Sequence, residues 1–121
     1  MRVLVQTNFG GILAINGAPV GRSLNNYYMQ KKKSNDADGS CMIIVATNAS
    51  LSARNLERLP RRAFLAIGTV GAFSSNGSGD YAIARCTHPA LRIPFNKTDT
   101  AVCWIPDLDN DDMSPLFLDA L

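Results

Sequence analysis

The stretch Cys41-Met42-Ile43-Ile44-Val45-Ala46 places the tightest limit on what this chain can fold into. Six consecutive apolar residues, three of them β-branched, are too few for a membrane span and too many for a strand with one wet face. The run therefore predicts a short strand buried on both sides, inside a layered fold. It is entered abruptly. Asn25 to Ala37 is polar, without apolar period, and carries Lys31-Lys32-Lys33, so it reads as a solvated loop. The junction between loop and strand is Asp38-Gly39-Ser40. A hydroxyl there can attack the Gly39 carbonyl, and hydrolysis of the resulting ester would leave Ser40 as a new N-terminus. Its freed amine could then act as base for its own hydroxyl. Glycine before the bond puts no side chain in the way and tolerates a strained backbone. The same three residues also fit a plain loop-to-strand turn.

The 121 residues are enough for a core but for no more than one domain. Charged residues make up only 18% of the chain against 46% apolar, which implies that part of its surface is covered by something else. A net charge of +2, with no arginine or aromatic array near the lysine run, gives no footprint for nucleic acid. Cys41, Cys86 and Cys103 are odd in number and form no C-x-x-C pair, so no disulfide framework or metal site is expected. No apolar run reaches the ~18 residues of a membrane span, and no signal peptide is visible, so a cytoplasmic protein is expected unless a leader precedes Met1.

Along the chain, Arg2–Gln6 reads as a strand, Asn8–Gly11 as a turn and Ile12–Ile15 as a second short strand. Asn16-Gly17 is a hairpin dipeptide. Ser52, or alternatively Asn48, can cap a helix running to about Ile67, with Leu56, Leu59, Ala63, Ala66 and Ile67 on one face. Pro60 inside it predicts a kink or a split, and Gly68 and Gly71 supply stop signals. Ser74–Asp80 is a loop of small polar residues leading into a strand over Tyr81–Cys86. Gly77-Ser78-Gly79-Asp80 lacks the lysine and the spacing of a phosphate-binding loop. Thr87–Thr100 is expected as connection, Ala101–Ile105 as a short strand, and Ser114-Pro115 as a helix start. Asp107–Asp112 imitates a calcium loop but lacks its glycine and its final glutamate, so an acidic surface loop is expected. His88, the only histidine, reads as a surface residue. This order of elements predicts an α/β (α+β) layered fold.

Taken together, these segments resemble the self-processing aminopeptidases that include the DmpA-type D-stereospecific aminopeptidases/amidases and the β-peptidyl aminopeptidases. Val3-Leu4-Val5-Gln6-Thr7-Asn8-Phe9-Gly10 looks like the strand that carries the oxyanion-hole asparagine. Asp38-Gly39-Ser40 looks like the autocleavage junction, and Asn55-Leu56-Glu57-Arg58-Leu59 the helix after the nucleophile strand. Ser75–Asp80 resembles the loop with a second serine and an acid, and Met113–Phe117 the next helix.

The resemblance implies a four-layer αββα sandwich. It makes Ser40 both autoproteolytic residue and nucleophile, Asn8 an oxyanion donor, and Ser78 and Asp80 hydrogen-bonding partners of the Ser40 amine and hydroxyl. Residues 1–39, with a processing loop at about 23–39, would end the α-subunit region, and 40–121 would begin the β-subunit region. The chain is then expected to be a partial domain, the middle of a longer protein. The implied activity is release of N-terminal D- or β-amino acid residues from small peptides, amides or esters, without cofactor, by a homo-oligomer of processed αβ units. The chain by itself is expected to be inactive. A non-catalytic remnant and a generic α/β binding module are the alternatives. Ornithine acetyltransferases share the processing chemistry but use threonine, so serine at position 40 favours the peptidase.

Overall fold

In the computed structural model, residues 1–27, 30, 39–93, 95 and 104–121 are described. Three strands form one sheet in chain order: β1 (Arg2–Asn8), β2 (Ser40–Thr47) and β3 (Gly79–Cys86). β1 and β2 are antiparallel, with Asn8 opposite Ser40 and Leu4 opposite Ile44. β2 and β3 are parallel, with Ser40 opposite Gly79 and Thr47 opposite Cys86. Parallel neighbours need a crossover, and helix α2 (Ala53–Thr69) supplies it. A one-turn helix α1 (Val20–Ser23) lies between β1 and β2, and α3 (Met113–Asp119) follows β3 and a 3-10 turn at Pro89–Leu91.

The helices cover one face of the sheet. Cys41, Ile43 and Val45 of β2 point into that side and are buried with Leu51, Leu59, Ala63 and Met113. Their neighbours Met42 and Ile44 point the other way and are exposed, as are Leu4, Tyr81 and Ile83. The apolar run of β2 was expected to be buried on both sides, whereas here one side is open. The side chains alternate because a strand has a period of two, and no element among the described residues lies on the second face.

Ser52 caps α2 as expected, its Oγ accepting from the Asn55 amide at 3.3 Å. The helix runs unbroken through Pro60, so it does not split. Proline forfeits the hydrogen bond to the Leu56 carbonyl. Its ring is buried and lines the groove between α2 and β3 with Leu56, Phe64, Ala82 and Ala84, so packing offsets that loss. Helix α2 ends where Gly71 adopts φ 103°, a left-handed conformation, and donates to the Gly68 carbonyl. On its outer turns Arg58 and Arg62 lie over the Phe117 ring, 4.8 and 4.1 Å from its centre, which ties α3 to α2.

Two expectations fail locally. Asn16 and Gly17 take the positive φ values, 54° and 81°, that a tight hairpin turn needs. Only one rung forms, between Ile15 and Ala18, because the next bonded pair would join Leu13 to Val20, where α1 already begins. Ile12–Ile15 is therefore not a strand. Trp104 and Ile105 are not in a strand either, while 101–103, like the lysine run, lie outside the described residues. Helix α3 starts at Met113, one residue before Ser114, with Asp112 at its cap position, and Pro115 sits in its first turn.

Candidate active site

Strand pairing gathers the residues singled out from the sequence at one end of the sheet. Asn8 ends β1, Gly39 and Ser40 open β2, and Ser78 and Asp80 stand at the start of β3. The two faces divide them. Asn8 and Ser40 are directly opposed across antiparallel strands, so their side chains share the open face with Cβ atoms about 5 Å apart. On that face Ser40 Oγ accepts a hydrogen bond from the Gly79 amide at 3.3 Å. An amide dipole aimed at the hydroxyl oxygen favours its deprotonated form and suits a nucleophile.

Ser78 and Asp80 lie on the other side. Ser78 Oγ donates to Asp80 Oδ2 at 2.8 Å. Both line a cavity of about 10 Å³, together with Gly39, Phe9 and Ser75. That volume is close to the minimum that holds one water molecule. The pair was expected around the Ser40 amine and hydroxyl; in the intact chain it lines a cavity with Gly39, on the side of the Gly39–Ser40 bond and away from the Ser40 side chain. The reason is strand alternation: Gly79 is the register partner of Ser40, so Ser78 and Asp80, its neighbours, point away from that side chain.

Gly39 is buried between β1 and β2. A Cβ on it would come within 2.2 Å of Phe9 Cα and 2.4 Å of the Asn8 carbonyl oxygen. Both are backbone atoms, so the glycine permits a close approach of β1 to the Gly39–Ser40 bond. That is a different reason from those its sequence position suggested. Beside Ser40, Cys41 is fully buried, and burial, then the nearby Asp80 carboxylate, push its thiol pKa up. It stays a protonated thiol at neutral pH, and a buried thiol of this kind is inert.

His88 is remote from this site. It follows β3 at the end opposite Gly79, about 23 Å away along seven residues of strand, and its Nδ1 accepts from the Ala90 amide at 3.2 Å in a local turn. Asp107 is also committed elsewhere. Its Oδ1 accepts from the Ser52 amide at 2.8 Å and its Oδ2 from Asn55 Nδ2 at 3.0 Å. Hydrogen bonds from Ser52, its hydroxyl foremost and its amide as well, hold the carboxyl below the ordinary carboxylate range, with Asn55 and the Leu108 amide adding to them against the effect of burial. This loop-to-helix tie was not visible in the sequence, where Asp107 reads as one of several loop acids.

The fold defines a class: a mixed α/β unit with helices on one face of a three-stranded sheet and a strand-opening serine at the sheet end. The profile of peptidase family S58 matches residues 1–121, and the chain belongs to that family. It is 37% identical over 128 residues to the beta-peptidyl aminopeptidase BapA of Sphingosinicella microcystinivorans, covering 95% of this chain and 32% of that protein. The structure of an L-aminopeptidase D-Ala-esterase/amidase from Ochrobactrum anthropi, a prototype serine aminopeptidase with a variant of the Ntn-hydrolase fold, matches with a TM-score of 0.77. The two are 28% identical, and the match covers 98% of this chain and 31% of that one. A beta-aminopeptidase from Burkholderia sp. matches with a TM-score of 0.67 at 27% identity, over 98% and 32% of the two chains. The chain thus spans under a third of the length of these relatives.

Proposed function

We propose that the full-length protein carrying this chain is a self-processing serine aminopeptidase that releases N-terminal residues, of D- or β-amino acid type, from small peptides, amides or esters. The observation that carries this reading is the convergence of Asn8, Gly39-Ser40 and Ser78–Asp80 on one sheet end from three separate strands. In the processing step Ser40 Oγ attacks the Gly39 carbonyl carbon, the C–N bond breaks, and the hydroxyl proton ends on the departing amine. Water then cleaves the ester, giving a Gly39 carboxylate and a free Ser40 hydroxyl. The new α-amine, with an ordinary pKa near ~8, takes the hydroxyl proton when substrate is attacked.

Asn8 donates its side-chain amide to the tetrahedral oxyanion. The Ser78–Asp80 pair stands on the side of residue 39, where it orients the freed amine once the bond is cut. A second sheet from the rest of the protein covers the open face beyond its Ser40 end in the four-layer arrangement, and the processed units assemble as a homo-oligomer. The test is intact-mass spectrometry of the full-length chain alongside hydrolysis of aminoacyl p-nitroanilides. Scission between Gly39 and Ser40 and p-nitroaniline release are expected in the wild type, and Ser40→Ala should abolish both. A wild-type chain that stays whole, or a Ser40→Ala variant that still processes, overturns the proposal.

A further inference from the structure

On the open face, one side chain beside Ser40 has no place in the chemistry above. Tyr81 lies two residues along β3 from Gly79, on the same face as Ser40 and Asn8, and 61% of its surface is exposed. Its ring does not stand off the sheet but leans back over Gly79. A Cβ on Gly79 would stand 3.3 Å from Tyr81 Cε2, 3.8 Å from the Tyr81 hydroxyl oxygen and 3.6 Å from Ser40 Oγ. The tyrosine ring and the nucleophile thus border the same small space above a residue that has no side chain of its own. The absence of a side chain at 79 keeps that space open, and the ring bounds it on the β3 side.

We infer that Tyr81 is a specificity-determining residue, the wall that limits the size of the acyl residue presented to Ser40. This rests on the aminopeptidase reading and extends it to the substrate side chain. A substrate whose carbonyl carbon is within reach of Ser40 Oγ carries its side chain either toward β1, where Asn8 stands, or toward β3, where it meets the ring. The ring is stiff, with two rotatable bonds, and is flanked by Met42 and Ile83 on the same face. It therefore presents a fixed apolar surface, one that bulky side chains run into and small ones clear.

The test uses the full-length enzyme and two substrates, an alanine and a leucine p-nitroanilide of the stereochemistry and backbone type that the wild type accepts. Processed Tyr81→Ala should show a leucine-to-alanine ratio of kcat/KM raised by about tenfold or more, the scale set by one or two methylene groups in a pocket. Tyr81→Trp should lower that ratio. A ratio that stays unchanged in both variants, or that falls in Tyr81→Ala, overturns the assignment, because a merely structural tyrosine would depress both substrates alike. If Tyr81→Ala fails to process, Tyr81→Leu takes its place with the same expected rise and the same overturning result. A wild type inactive on every aminoacyl substrate would count against the aminopeptidase reading itself, whereas an active wild type with invariant ratios refutes only the role of Tyr81.

Discussion

Position 39 admits no side chain, and the reason is geometric. Because the atoms a Cβ would strike belong to the backbone of Asn8 and Phe9, relief requires moving β1 away from β2. Gly39→Ala should therefore slow or stop scission at the Gly39–Ser40 bond and destabilise the protein by about 1–3 kcal/mol, the usual cost of overpacking. Intact-mass time courses and thermal melts of the full-length chain check both effects, and wild-type processing in that variant would contradict the close packing. Asn8 separates from it cleanly. Asn8→Ala removes an exposed side chain at the strand end, so it should leave the melting temperature nearly unchanged while lowering kcat by about 10²–10³-fold in the processed enzyme, as loss of an oxyanion donor does. Ser40 and Gly39 could be found in the sequence by their place at a loop-to-strand junction. The backbone contact at Gly39 could not, since it depends on a strand more than thirty residues upstream.

Helix α2 and the loop before α3 illustrate how elements are stabilised by partners distant in sequence. The Ser52 cap and the apolar stripe of α2 are local and readable. The second acceptor at its N-terminus, Asp107, comes from 55 residues away and binds the Ser52 amide and the buried Asn55 together. Ser50 Oγ adds a hydrogen bond to the Pro106 carbonyl, and Arg58 bridges Asn55 to Asn110. Asp107→Ala should cost about 0.5–2 kcal/mol, the range for a lost helix cap. Its carboxyl pKa is lowered in the folded state, so the unfolded chain binds the proton more readily. The stabilisation is then complete above the unfolded value of ~3.9 and is lost as pH falls through the lower folded value. Melts of wild type and Asp107→Ala should differ at neutral pH and converge in strong acid. Equal differences at every pH would show that the carboxylate charge plays no part. Pro60 marks the limit of local reading: its missing hydrogen bond was apparent, but the buried ring that offsets it depends on the approach of β3.

At the scale of the whole molecule, the dominant feature among the described residues is a sheet with one covered face and one apolar open face. Leu4 is 65% exposed and Ile83 61%, beside Met42, Ile44 and Tyr81. Each such side chain, once buried, contributes about 1.5–3 kcal/mol, so the face is a strong driving force for association. Residues 1–121 produced by themselves should bind a hydrophobic dye and elute above monomer mass in size exclusion with light scattering. Replacing Ile44 and Ile83 with lysine should suppress both, and a dye-free wild-type monomer would contradict the idea. Alone, the sequence determined which segments are strands and helices where a local signal acts: the β2 apolar run, the Ser52 cap, the Asn16-Gly17 turn, the serine at the junction. The arrangement of those segments was decided by tertiary structure. Strand pairing brings residues 8, 40 and 79 side by side, the period-two pleat then sends Ser40 and Asp80 to opposite faces, and cover by helices on one side only leaves half of an apolar strand in the open. Those outcomes depend on register and on layers contributed by distant segments, which no run of neighbouring residues encodes.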